Sequence, residues 1–217
     1  MPVNSVYNKA RQRGLEGGLN MAAGTVKTTL VDLNDYALLV NAATNATPIE
    51  ITTTTSHGLT TGDEVCILAV GGNTAANNDS TNRRWKVTVV DADSFSLQNI
   101  VTGANVAGSG AYTSGGFVVK IDDHDFIDDV PSGARVATAT LSSGKSTTRG
   151  IFDADNVTFT AVTGDQSEAL IIWVDTGTES TSPLVFFISD ATGLPATPSG
   201  ADINVTWDNG YYKIGLL

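Results

Sequence analysis

The residues best suited to chemistry lie between Asp122 and Asp129, where Asp122, Asp123, Asp125, Asp128 and Asp129 surround His124. Carboxylates with one imidazole could hold a hard cation such as calcium. The spacing does not fit a calcium-binding helix–loop–helix, which needs alternating ligands, a central glycine and a final glutamate. The expectation is a solvated acidic loop. Ser142-Ser-Gly-Lys-Ser146 resembles the end of a phosphate-binding loop, but the pattern needs a glycine where the chain has Ala139, so a polar hairpin turn is expected. The two histidines, His57 and His124, are far apart in sequence and neither adjoins a nucleophile in a recognised turn. Cys66, the one cysteine, sits in apolar Glu64-Val-Cys-Ile-Leu68 and reads as a buried structural thiol. The residues therefore predict no catalytic centre, no metal and no cofactor.

Aromatic residues offer a different chemistry, the stacking of sugar rings. Trp173 and Trp207 fall inside strand runs and read as core. Tyr211 and Tyr212 follow the turn Asp208-Asn-Gly210 and are candidates for a glycan site or a subunit contact. Asn45, Asn156 and Asn204 begin Asn-Xaa-Thr triplets. No secretion signal accompanies them, so chance matches in a threonine-rich chain are expected.

The elements that must position these groups are strands. Asn156–Val162, Ala169–Val174, Pro183–Ile188 and Ala201–Trp207 are strand-like runs separated by turn residues such as Asp175-Thr-Gly177. Leu170–Val174 and Leu184–Ile188 are apolar on both sides, as expected of central strands covered on two faces. The second face calls for the N-terminal helix, the middle unit or a neighbouring subunit. That middle unit runs from the threonine-rich strand Ile49–Thr55 to the glycine- and serine-rich Gly103–Gly116. Its short strands predict a small barrel or open roll. The fold expected is all-β: a discontinuous β-sandwich (24–46 and 116–217), an inserted small β-barrel or β-roll (47–115), and a short N-terminal helical arm (1–23).

Charge bounds the partners. The 217 residues carry a net charge of −11. Such a surface repels phosphate, so nucleic acid is not expected as a partner. No apolar run approaches the length of a membrane span, so a membrane partner is not expected either. The N-terminal segment is the exception: residues 1–15 hold Lys9, Arg11 and Arg13 and no acid, so the rest carries −14, the difference between −11 and +3. Val3, Val6, Tyr7 and Ala10 recur at helical spacing. This helix either lies on its own domain or grips a negative surface of a neighbour. Val6, Tyr7, Lys9, Arg11 and Arg13 are thus the candidate partner-binding residues at this end, as Tyr211 and Tyr212 are at the other.

A series of segments carries a resemblance. They are Thr25-Val-Lys-Thr-Thr-Leu-Val-Asp-Leu-Asn-Asp-Tyr36, Asp123-His-Asp-Phe-Ile-Asp-Asp-Val-Pro131 and Gly150-Ile-Phe-Asp-Ala-Asp-Asn-Val-Thr-Phe159. Asp175-Thr-Gly177, Ser182-Pro-Leu184, Thr192-Gly-Leu-Pro195 and Ile203-Asn-Val-Thr-Trp-Asp-Asn-Gly210 complete it. Taken in order, they resemble a family of small tailed-phage virion proteins. Ser56-His-Gly-Leu-Thr-Thr-Gly-Asp-Glu-Val65 and Trp85–Leu97 are similar to a small β-module of phage structural proteins. The resemblance implies a virion component made in the host cytoplasm, with capsid decoration (cement) as the specific role. It also implies the major capsid protein or other virion proteins as partners and a homo-oligomer, a trimer being favoured. It supplies no catalytic residues. A head–tail connector or tail component is the alternative within that class, and a carbohydrate-binding adhesin module the alternative outside it.

Overall fold

Strand-rich sequence punctuated by turns folds as its pattern requires. The computed structural model describes residues 4–217. Two compact units emerge: Tyr36–Asp123 with residues 4 and 5, and Val6–Asp35 together with His124–Leu217. In chain order the elements begin with β1 (Asn4–Val6), α1 (Asn8–Leu15), β2 (Thr25–Val31) and the short α2 (Leu33–Tyr36). The barrel strands follow: β3 (Leu38–Ala43), β4 (Glu50–Thr53), β5 (Glu64–Leu68), β6 (Trp85–Val89), β7 (Ser94–Asn99) and β8 (Phe117–Lys120). The chain then adds β9 (Arg135–Leu141), β10 (Ile151–Phe152), β11 (Val157–Phe159), β12 (Ala169–Asp175), β13 (Leu184–Ile188), β14 (Ile203–Val205) and β15 (Gly215–Leu216).

The second unit is built on antiparallel strands in the order β13-β12-β2-β9. Leu170 of β12 pairs with Leu30 on one side and Ile188 on the other. One face carries Val26, Leu30, Leu170, Ile172 and Phe186, which share a core with Phe152, Phe159, Trp207 and Ile214. Those last four come from or adjoin two short ribbons, β10–β15 and β11–β14. Burying each such side chain stabilises by about 1.5–3 kcal/mol. The opposite face is apolar as well, and Ala169, Ile171, Leu184 and Phe187 are fully buried within the single chain. The double-sided burial expected of β12 and β13 is therefore present without a second subunit.

Closure defines the other unit. Its strands run β3-β4-β7-β6-β5-β8 and return to β3, leaving no open edge. Ile49, Ile51, Ile67, Val87, Phe95, Leu97 and Val118 fill the interior. The boundaries lie outside the expected 47–115. β3 and β8, assigned from sequence to the outer sandwich, are barrel strands. The physical reason is hydrogen-bonding demand: β8 pairs with both β3 and β5, and without it the barrel would stay open.

The N-terminal segment also departs from its helical pattern. Tyr7 donates its N–H to the Val185 carbonyl at 3.1 Å, and Asn4–Val6 are extended. Pairing with β13 wins over the three-and-four spacing there. Helix α1 begins only at Asn8, and Val3 lies outside the described residues. It ends where Gly17 takes φ 72° and Gly18 N–H reaches the Arg13 carbonyl at 2.8 Å.

Candidate functional site

The acidic segment is dispersed by the fold. Asp123 pairs with Lys120 at 3.1 Å in the barrel unit, and Asp125 pairs with Lys9 at 3.3 Å in the sheet unit. The Asp129 carboxylate accepts the N–H groups of Asp125 and Phe126 at 2.7 and 3.0 Å, capping a short helical turn. Asp128 is exposed and His124 half-buried. Among the described residues, no group of three or more His, Cys, Asp or Glu is placed to hold a metal ion.

His57 is a structural lock. Its Nδ1 accepts the Leu59 N–H at 2.9 Å and its Nε2 lies 3.0 Å from the Asp91 carbonyl. The ring meets Phe95 edge-on at 5.3 Å. The imidazole thus ties the Ser56–Asp63 turn to the Asp91–Ser94 turn. Lys145 of the glycine–lysine turn donates to the Gly24 carbonyl at 2.5 Å, which makes that turn a strut of the sheet unit. Trp173 donates Nε1 to Thr29 Oγ1 and Trp207 donates Nε1 to the Asp155 carbonyl. Both indoles are buried, as expected of core residues.

The partner-binding candidates separate into two kinds. Val6 and Tyr7 are buried, so they hold the fold and present no surface. Lys9 and Arg13 stand over the Phe126 ring at 5.7 and 5.2 Å. These contacts seat the helix on its own unit. Arg11 lines a half-open apolar cleft of about 510 Å³ in the same unit. Tyr211 and Tyr212 are exposed and meet edge-to-face at 5.0 Å. Tyr211 borders a shallow cleft of about 370 Å³ together with Arg149, Asp153 and Lys213.

Sequence reasoning did not reveal a half-buried charged cluster in the barrel unit. Arg84 Nη1 is ion-paired with Glu64 Oε2. The Asp122 Oδ2 accepts the Glu64 N–H at 2.6 Å, while Oδ1 is buried without a hydrogen-bond partner among the described residues. Burial, with the nearby Glu64 and Asp63 charges, pushes the Asp122 carboxyl up to about 6. Burial likewise pushes the Cys66 thiol up to about 12, so it is no nucleophile at neutral pH. The cluster is assembled by the β5–β8 pairing, in which Val65 stands opposite Lys120. Local sequence held no signal for it.

Asp122→Asn tests the cost of that burial. The folded-state value of about 6 lies above the ordinary 3.8, so protonated Asp122 supports the fold. Its contribution is complete below about pH 4 and is lost as pH rises through 6. The amide keeps the acceptor for Glu64 N–H and carries no charge. With a discount for partial solvation, the variant is expected to be more stable by on the order of 1–2 kcal/mol at pH 7. At pH 4 the two proteins should match. Urea unfolding at both values checks this, and a gap independent of pH refutes it.

Fold and site together define an all-β protein whose prominent polar motifs are consumed in building it. No family model matches the chain, and no curated protein is significantly similar to it.

Proposed function

We propose that the protein is a structural component of a tailed-phage virion, acting by shape and adhesion, and that it decorates the capsid. The observation that carries this reading is the use to which the phage-like segments are put. Asp129 caps the turn at Asp125–Phe126, Asn156 accepts the Trp207 N–H at 3.0 Å, and His57 locks two barrel turns. Residues that look reactive in sequence support connections between strands. A closed barrel and a sheet buried on both faces suit a rigid surface module, and the net charge of −11 suits crowding on a particle.

The copy number of this chain in purified virions tests the proposal. Hundreds of copies support a shell position, a dozen or fewer the portal vertex, and intermediate numbers the tail. Absence from the particle overturns the virion reading. Deleting the N-terminal arm is a poor test of attachment, because Tyr7 and Ala10 are fully buried and their loss would damage the fold.

One observation favours a carbohydrate-binding reading: the exposed Tyr211–Tyr212 pair beside the shallow cleft. If it holds, replacing both tyrosines with alanine abolishes retention on immobilised glycans while the far-ultraviolet circular dichroism stays the same. A wild-type protein that binds no glycan rejects it.

A further inference from the structure

We propose that the end of α1 is a self-association surface, in which Leu15 of one molecule enters the apolar cleft beside the same helix of a second copy, and the second returns the contact. This inference stands apart from the virion reading and needs only the sheet unit.

Leu15 is 91% exposed, more than any other large apolar residue among those described. An isolated exposed leucine needs no explanation, but this one borders a cavity. The cleft of about 510 Å³ is lined by Leu15 itself, Leu19, Met21, Phe152 and Leu217, with Arg11 and Gly14 from the helix. Knob and hole thus share one surface. A patch that carries both is self-complementary about a two-fold axis and closes after two copies, without forming a ring or fibre. The volume far exceeds one leucine side chain, so it admits the helix end as well.

Gly14 is an independent observation. It is the next-to-last residue of α1, in the final helical turn, where glycine is still less favourable than alanine. Its φ is not in the left-handed region, and an added Cβ would meet nothing within 4 Å. Neither backbone conformation nor packing inside the molecule demands glycine there. Its missing side chain permits close approach by a second backbone.

Charge selects the occupant. Glu16 follows Leu15 directly, and Arg11 lines the cleft. Insertion of Leu15 brings Glu16 of each copy toward Arg11 of the other, giving two opposite-charge contacts per pair. The same helix thus supplies the anchor, the gap and both charges, which favours a second copy over a small apolar ligand.

Sedimentation equilibrium on the full chain across the micromolar range tests this, and the wild type is expected to form dimers. Leu15→Asp should weaken the pair by roughly tenfold or more, as for a central apolar anchor. Its circular dichroism should stay native, because Leu15 makes little contact within its own molecule. Gly14→Ala should raise the melting temperature yet weaken association. Arg11→Glu and Glu16→Arg should each weaken the dimer, and the double exchange should restore it. A wild-type monomer at every concentration overturns the proposal, as does any oligomer that Leu15→Asp leaves intact. So does a monomer whose cleft takes up a fluorescent fatty-acid probe.

Discussion

Arg84→Ala is expected to destabilise the protein by about 3–5 kcal/mol at neutral pH, the range for removing one partner of a buried ion pair. The side chains of Arg84 and Glu64 are 11% and 18% exposed, so water can do little to compensate. Burial lowers the Arg84 pKa, while Glu64, Asp122 and Cys66 favour its charged form. Without the guanidinium, the Glu64 carboxylate loses its partner and Asp122 loses a stabilising charge. Asp122, which Arg84 helps to keep ionised, then favours protonation in the folded state more strongly than before. Stability gained by protonation is lost as pH rises, so the gap between wild type and variant should widen from pH 4.5 to 7. Urea unfolding followed by tryptophan fluorescence, with Trp173 and Trp207 replaced by Phe so that the buried Trp85 of the same barrel reports alone, measures it. A deficit of equal size at both pH values would show that packing, not charge, sets the loss.

The cluster also shows where sequence reasoning stops. Asp122 was legible as one of several acidic residues in a row, and the row suggested a solvated loop. Its neighbours along the chain do not determine its environment. That depends on β8 lying beside β5, which brings Glu64 to Asp122 across fifty-eight positions. Strands specify their faces locally through alternation, but their partners only through the whole fold. For the same reason β3 and β8 were assigned to the wrong unit. The apolar Phe117–Lys120 is equally at home in either sheet, and only ladder closure decides between them.

Features set by short-range chemistry were read more fully. Burial of Cys66 followed from its apolar neighbours, and the core positions of Trp173 and Trp207 from the strand runs around them. The coverage of β12 and β13 on two faces followed from their unbroken apolar runs. The helical spacing of Val6, Tyr7 and Ala10 misled because extended pairing satisfies the Tyr7 N–H at β13. A few residues at suitable intervals, Val3 with these three, are a weak signal when an open strand edge competes for the same backbone. The cleft beside Leu15 had no local signature, since its walls come from four separate stretches of chain.

Phe186→Ala is expected to cost about 3–5 kcal/mol, the range for deleting a fully buried aromatic side chain. Phe186 has no exposed surface, and it shares its core with Phe152 and Ile214. The β10–β15 ribbon is seated on its ring. A Cβ added at Gly215 would fall 2.5, 2.7 and 2.8 Å from Cε1, Cζ and Cδ1 of Phe186. Gly215 therefore exists to let the ring and the β15 backbone meet. Its φ lies outside the left-handed region, so the demand is spatial rather than conformational. Gly215→Ala should cost about 1–3 kcal/mol through overpacking, because a ring locked in the core cannot turn aside. Trimming the ring while filling the glycine should restore part of the lost packing. Phe186→Leu with Gly215→Ala is accordingly expected to be less destabilised than the two single changes predict together, by about 1 kcal/mol or more. A thermodynamic cycle from urea unfolding of the four proteins checks the coupling. Strict additivity would mean that the ribbon moves freely of the sheet.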